Sequence, residues 1–267
     1  MTPSSSSFNS DRLRQWLTLV AIIAAFVVNV ASNFTPINGL TIGEIANTLF
    51  SEVKMIPANY AFAIWGLIYL GLFSFAIYQF QSSQQQNPRL QKTGYWIVGA
   101  SLAQIVWVIV FLSRLFGLSL IAMVVILVAL IQAYLKLHKN QVTVSSKERW
   151  FVDAPIGIYL GWISVATIVN VALVLYNSGW SGWGISAQLW TVLLIIVAGI
   201  IGAILRLQYH ETAVLLVLIW AFIAISIRQE NQPLIVWTAL IMSLILSLIG
   251  LSTTITKRFS ASSPPSP

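Results

Sequence analysis

Long apolar runs separated by short polar breaks occupy most of this chain. Eight stand out, at residues 15–32, 58–80, 95–113, 116–135, 155–176, 186–205, 212–228 and 234–252. A helix needs about 20 apolar residues to cross a hydrocarbon core about 30 Å thick, so each run predicts a transmembrane helix. The 17 residues of 212–228 are near the short limit. The expected fold is therefore all-α, a polytopic transmembrane bundle of about eight helices. Only Arg114 and its neighbours divide the third run from the fourth, which predicts a tight helical hairpin.

The breaks carry signals of their own. Thr41-Ile-Gly-Glu44 has the spacing of a capping box. Ile42, Ile45, Leu49 and Phe50 then fall on one side of a short helix, expected either to lie on the membrane surface or to fold over the mouth of the bundle. Residues 81–94 and 136–153 read as polar and basic loops. Trp180 and Trp183 in a Gly-rich turn suit the headgroup layer, as do Trp16, Trp96 and Trp150. Residues 1–14 form a polar, basic tail, and the Ser/Pro-rich tail 253–267 is expected to be disordered.

Composition narrows the class. Only 8% of residues are charged and 58% are hydrophobic, against about 25% charged in a soluble domain, so this is a multi-pass membrane protein with the lipid bilayer as its first partner. The net charge of +7 marks orientation rather than affinity for nucleic acid, because basic residues collect on the cytoplasmic side. With the N-terminus inside, eleven of the fourteen Lys and Arg fall on that side: Arg12, Arg14, Arg89, Lys92, Lys136, Lys139, Lys147, Arg149, Arg206, Lys257 and Arg258. Lys54, Arg114 and Arg228 fall opposite. Both termini are thus expected in the cytoplasm.

The chemistry is sparse. There is no cysteine, and His138 and His210 sit beside charged residues at segment ends, so no intramembrane metal site is expected. No charged residue occurs between Ala154 and Leu205, and no run carries a central ionisable group, which argues against ion-coupled transport. No catalytic residue or cofactor is expected. What remains is aromatic. Phe62, Trp65 and Tyr69 recur at i, i+3 and i+7, as do Gln104, Trp107 and Phe111. Tyr159, Trp162 and Ala166 repeat the spacing, with Asn170 one turn further. These stripes build either an aromatic-walled pocket between helices or a plain packing surface.

The run Pro57…Phe62-Ala-Ile-Trp65-Gly-Leu-Ile-Tyr69 resembles the second helix of the translocator/tryptophan-rich sensory protein (TspO/MBR) family. Trp107 and Phe111 are similar to its third helix, with Gln104 where the family usually has Asn, and Tyr159, Trp162, Ala166 and Asn170 are similar to its fifth. Asn59-Tyr60 departs from the family's Pro and Trp pattern there. The resemblance implies a five-helix core over 15–176, with 186–252 as three additional helices. It implies a receptor or carrier for a flat hydrophobic molecule, tetrapyrrole- or sterol-like, held by Tyr60, Phe62, Trp65, Tyr69, Gln104, Trp107, Phe111, Tyr159, Trp162, Ala166 and Asn170. A porphyrin ligand and a homodimer are within that expectation. Oxidative porphyrin degradation, or a structural, partner-binding role, are the alternatives. From helix rise, Trp65 and Trp162 are expected to differ in depth by about 10 Å, with Trp162 as the floor.

Overall fold

The computed structural model describes the backbone of residues 5–138 and 144–262 and the side chains of 11–138 and 144–252. Its helices are α1 (Ser5–Phe34), α2 (Ile42–Thr48), α3 (Ile64–Gln79), α4 (Pro88–Leu112), α5 (Phe116–His138), α6 (Ser146–Glu148), α7 (Ala154–Asn177), α8 (Ala187–Tyr209), α9 (Ala213–Arg228) and α10 (Pro233–Ser262). Among the described residues there is no strand. Among the described residues seven helices are long and apolar enough to cross a membrane, and α9, with 16 residues, is shorter. The chain is a polytopic helical membrane protein, and each apolar run has become one helix.

Local signals set the boundaries. Asn87 caps α4 by accepting from the Arg89 N–H at 2.9 Å, with Pro88 in the first turn where no N–H is required. Ser186 caps α8 in the same way. The α4–α5 hairpin turns on Arg114, whose φ of 61° lets the Leu115 N–H reach back to the Val110 carbonyl at 2.9 Å. Several helices overrun their expected ends, among them α4, which Asn87 and Pro88 start inside the expected loop 81–94. No Pro or Gly interrupts residues 4–34, so α1 starts well ahead of residue 15 and takes Arg14 into the helix. α10 continues through Ser262, past the expected end at 252. Lys139 and the last five residues of the Ser/Pro tail, 263–267, lie outside the described residues.

The chain divides into two compact units. The first comprises Met1–Val53 and Phe62–Trp180. Its long helices close a ring: α1 packs on α3 and α4, α4 on α5, α5 on α7, and α7 back on α3. At one end Arg89 ties three segments together. It donates to the Leu137 carbonyl at the end of α5, and pairs with Glu148 and with Asp153 (2.7 Å) ahead of α7.

The α3–α7 pairing is antiparallel. Phe62 meets Trp162, Trp65 meets Tyr159, and Gly71 meets Pro155. Trp162 therefore stands about one helical turn from the level of Trp65, not about 10 Å below it. The expected depth offset assumed that the helix ends were level. They are staggered instead: α7 begins opposite Gly71, and Phe151 ahead of it stacks on Tyr78 near the end of α3.

The second unit comprises Lys54–Ala61 and Ser181–Pro267. Here α8, α9 and α10 pack on one another. The buried Arg206 holds the turn between α8 and α9, donating to the His210 carbonyl, to Thr212 Oγ1 and to the Gly250 carbonyl of α10. The segment Lys54–Ala61 docks on α9: the Ala58 N–H donates to the Ala224 carbonyl at 2.9 Å, and Trp220 Nε1 donates to the Ala61 carbonyl at 3.2 Å.

The crossing of α3 on α7 depends on the missing side chain at Gly71. A Cβ there would lie 3.0 Å from Pro155 Cβ, on a ring that cannot rotate away. Gly71→Leu is expected to destabilise the bundle by about 1–3 kcal/mol through overpacking. Thermal unfolding in detergent checks this; an unchanged midpoint would mean the crossing tolerates separation.

Candidate functional site

The aromatic stripes of α3, α4 and α7 all turn inward within the first unit and meet as two connected groups. On the α3–α7 side, the Phe62 ring is edge-on to Trp162 at 5.9 Å, and Trp65 lies 6.0 Å from Tyr159 and 5.8 Å from Tyr69. On the α4–α7 side, Trp107 stacks on Phe111 at 5.0 Å, and Phe111 meets Phe116 at the start of α5. Ala166 is half-buried on α7. Tyr60 is not part of either group. It belongs to the second unit, edge-on to Trp220 at 5.0 Å, because the segment that carries it is bonded to α9.

The polar atoms of these stripes pair across helices. Tyr159 donates its hydroxyl to Gln104 Oε1 at 3.2 Å, and Tyr69 donates to the Ala25 carbonyl of α1 at 3.0 Å. Trp107 Nε1 donates to Asn170 Oδ1 at 2.9 Å. Asn170 Nδ2 in turn donates to Ser119 Oγ at 3.1 Å. A buried donor left without a partner costs about 1–3 kcal/mol, so each pair fixes a helix contact as well as a ring orientation. Asn170 is fully engaged in this way. Gln104 is not: it is 1% exposed, yet its amide nitrogen has no hydrogen-bond partner among the described residues. The hydroxyl of Ser101, one turn earlier on α4, is in the same condition.

Ser119, Phe116, Ser101 and Phe26, whose ring lies 5.2 Å from Tyr69, escaped the sequence reading. None belongs to a repeated aromatic spacing. A small hydroxyl in an otherwise apolar run was the one available signal for Ser101 and Ser119. No group of three His, Asp or Glu able to hold a metal occurs among the described residues.

The connection after α1 lies across one end of this ring. Asn38 donates to the Leu112 carbonyl at 3.3 Å, and Phe50 packs on Phe116 at 4.8 Å and on Tyr176 at 6.0 Å. Ile45 and Phe50 are buried, whereas Leu49 is 42% exposed. Leu49 thus points away from the face it was expected to share with Ile45 and Phe50. The capping box of α2 is complete. The Thr41 N–H donates to Glu44 Oε2 at 2.7 Å, and the Glu44 N–H donates to Thr41 Oγ1 at 3.2 Å.

The Thr41 backbone bond, and then its hydroxyl, hold the Glu44 carboxyl below the usual carboxylate range. A depressed folded-state pKa means that the support is complete above the unfolded value and fades as pH falls through the folded one. Amide exchange in α2, corrected for intrinsic rates, is expected to quicken as the pH is lowered through and below the ordinary glutamate range. Glu44→Gln is expected to remove that pH dependence; a wild-type profile flat across the range would deny the box a role in holding α2.

The sequence profile described as TSPO-like protein matches residues 15–252. No curated protein and no solved structure is significantly similar to the chain.

Proposed function

Because the chain belongs to the family of TSPO-like proteins, we propose that it is a membrane receptor or carrier for a flat hydrophobic ligand that carries a hydrogen-bond acceptor. Gln104 carries this reading. Its amide nitrogen has donors to give, beside an aromatic wall in which Tyr69, Trp107, Tyr159 and Asn170 already have partners. A flat ring system gains from burial against Trp65, Tyr159 and Trp162 at about 25 cal/mol per Å², and ring-on-ring geometry favours a planar molecule. A carbonyl or carboxylate on that molecule would satisfy Gln104. Tetrapyrroles with propionate groups and sterol-like molecules with an oxygen function both answer the description.

Protoporphyrin quenching of tryptophan fluorescence tests the proposal. Saturable quenching is expected, weakened about tenfold to a hundredfold by Gln104→Leu, since one hydrogen bond to a charged acceptor is worth about 1.5–3 kcal/mol. Trp162→Phe is expected to reduce the amplitude. Saturable quenching that neither substitution alters would remove the ligand from this wall.

The orientation we propose has both termini in the cytoplasm. The support is the gathering of eleven of fourteen Lys and Arg on one side. The chain has no cysteine, so an introduced thiol reports alone. In intact cells Ser83→Cys is expected to resist a membrane-impermeant maleimide until the cells are opened; labelling from outside would reverse the topology.

A further inference from the structure

The guanidinium of Arg14 lies inside the first unit, between α1, α3 and α4, with 1% of the residue exposed. Its Nη1 donates to Gln79 Oε1 at 3.1 Å and to the Leu90 carbonyl at 3.2 Å. Gln79 is itself locked to α1 by exchange with Gln15: the Gln15 amide donates to the Gln79 carbonyl at 2.7 Å, and the Gln79 amide to the Gln15 carbonyl at 3.2 Å. The seat for this side chain is cut into α4. A Cβ at Gly94 would lie 2.8 Å from Arg14 Nη1 and 3.0 Å from its Cγ and Cδ.

The opposite edge of the guanidinium is open chemistry. Nε and Nη2, both buried, have no hydrogen-bond partner among the described residues. These two nitrogens form the fork that takes a carboxylate or phosphate in two parallel bonds. The nearest anion, Asp11 Oδ1, stands 3.7 Å from Nε, too far for a hydrogen bond, and Asp11 Oδ2 accepts from Gln91 instead at 2.7 Å. A buried charge this poorly matched is costly in a low-dielectric setting, so an anion that completes the fork gains a large advantage.

The position within the spans identifies the kind of anion. Arg14 is in the first turn of the span Asp11–Phe34, Leu90 in the first turn of Pro88–Leu112, and Gln79 at the end of Asn59–Gln79. Exposed Trp16, Tyr95 and Trp96 ring the same level, as aromatics do at the headgroup layer, and Arg12 and Lys92 are exposed there too. We propose that the Nε–Nη2 fork of Arg14 is a binding point for a phosphate group at the headgroup level, with Asp11 as a loose internal stand-in that the phosphate displaces.

Two substitutions with opposite expected signs test this. The full chain in detergent would be titrated with phosphatidylglycerol and the bound lipid counted by native mass spectrometry, with diacylglycerol as the same tails lacking phosphate. Retention of phosphatidylglycerol over diacylglycerol is expected. Arg14→Gln should weaken it about tenfold, and Asp11→Asn should strengthen it by removing the competing carboxylate. Equal retention of the two lipids, unchanged binding in Arg14→Gln, or weaker binding in Asp11→Asn would each overturn the site. Should Arg14→Gln fail to fold, the sign of the Asp11→Asn effect still decides. Inorganic phosphate that displaces the lipid would support a fork that reads the free anion as well; bound lipid that resists it would support a site for lipid-borne phosphate alone.

Discussion

A polar atom inside a membrane helix bundle has no water to turn to. Backbone groups answer this by staying helical, and side chains answer it by finding each other across helix boundaries. In the first unit the pairs occur at several points along the ring. Arg14 with Gln79 and Leu90 joins α1, α3 and α4 near one end. Tyr159 with Gln104 joins α7 to α4, and Trp107 with Asn170 and Ser119 joins α4, α7 and α5. Each pair is favourable only in one register, so together they specify the arrangement that generic apolar packing would leave loose. The same economy gives meaning to the exceptions. Gln104 and Arg14 keep buried nitrogens unpaired, and the ligand and the phosphate we propose are groups that would pair them.

Packing places the aromatic wall whose Tyr159 bonds Gln104. Gly71 lets α3 settle against Pro155 at the head of α7, and from that contact the antiparallel register follows outward to Trp65 with Tyr159 and Phe62 with Trp162. The chain leaves the first unit at Val53 and returns at Phe62, and the residues between are bonded to α9. The residue that opens the wall thus follows directly on a segment anchored elsewhere. Tyr60 illustrates the consequence: two positions from Phe62, its ring serves Trp220 rather than the wall.

Local features were readable from the sequence and relational ones were not. The eight helices, the hairpin at Arg114 and the capping box at Thr41 and Glu44 depend on run length, a turn or a four-residue spacing. The inward faces of Trp65, Trp107 and Trp162 follow from helical periodicity. The relative depth of Trp65 and Trp162 does not, because a stagger between helices is set by a distant contact such as Gly71 on Pro155. Ser119 was invisible because its partner Asn170 lies 51 positions away. Arg14 looked like one more cytoplasmic charge. Its burial comes from a helix that starts early and from a glycine 80 residues later that leaves room for it.

The unpaired amide nitrogen of Gln104 is the polar anchor in the function we propose. Mass spectrometry of the small molecules retained by gently purified protein, compared with those retained by Gln104→Leu, addresses it without choosing a ligand in advance. A planar, largely apolar molecule bearing a carbonyl or carboxylate is expected in the wild-type sample and is expected to be depleted in the variant. Bulk membrane lipid alone in both samples, or the same planar molecule at equal occupancy in each, would contradict the proposed function.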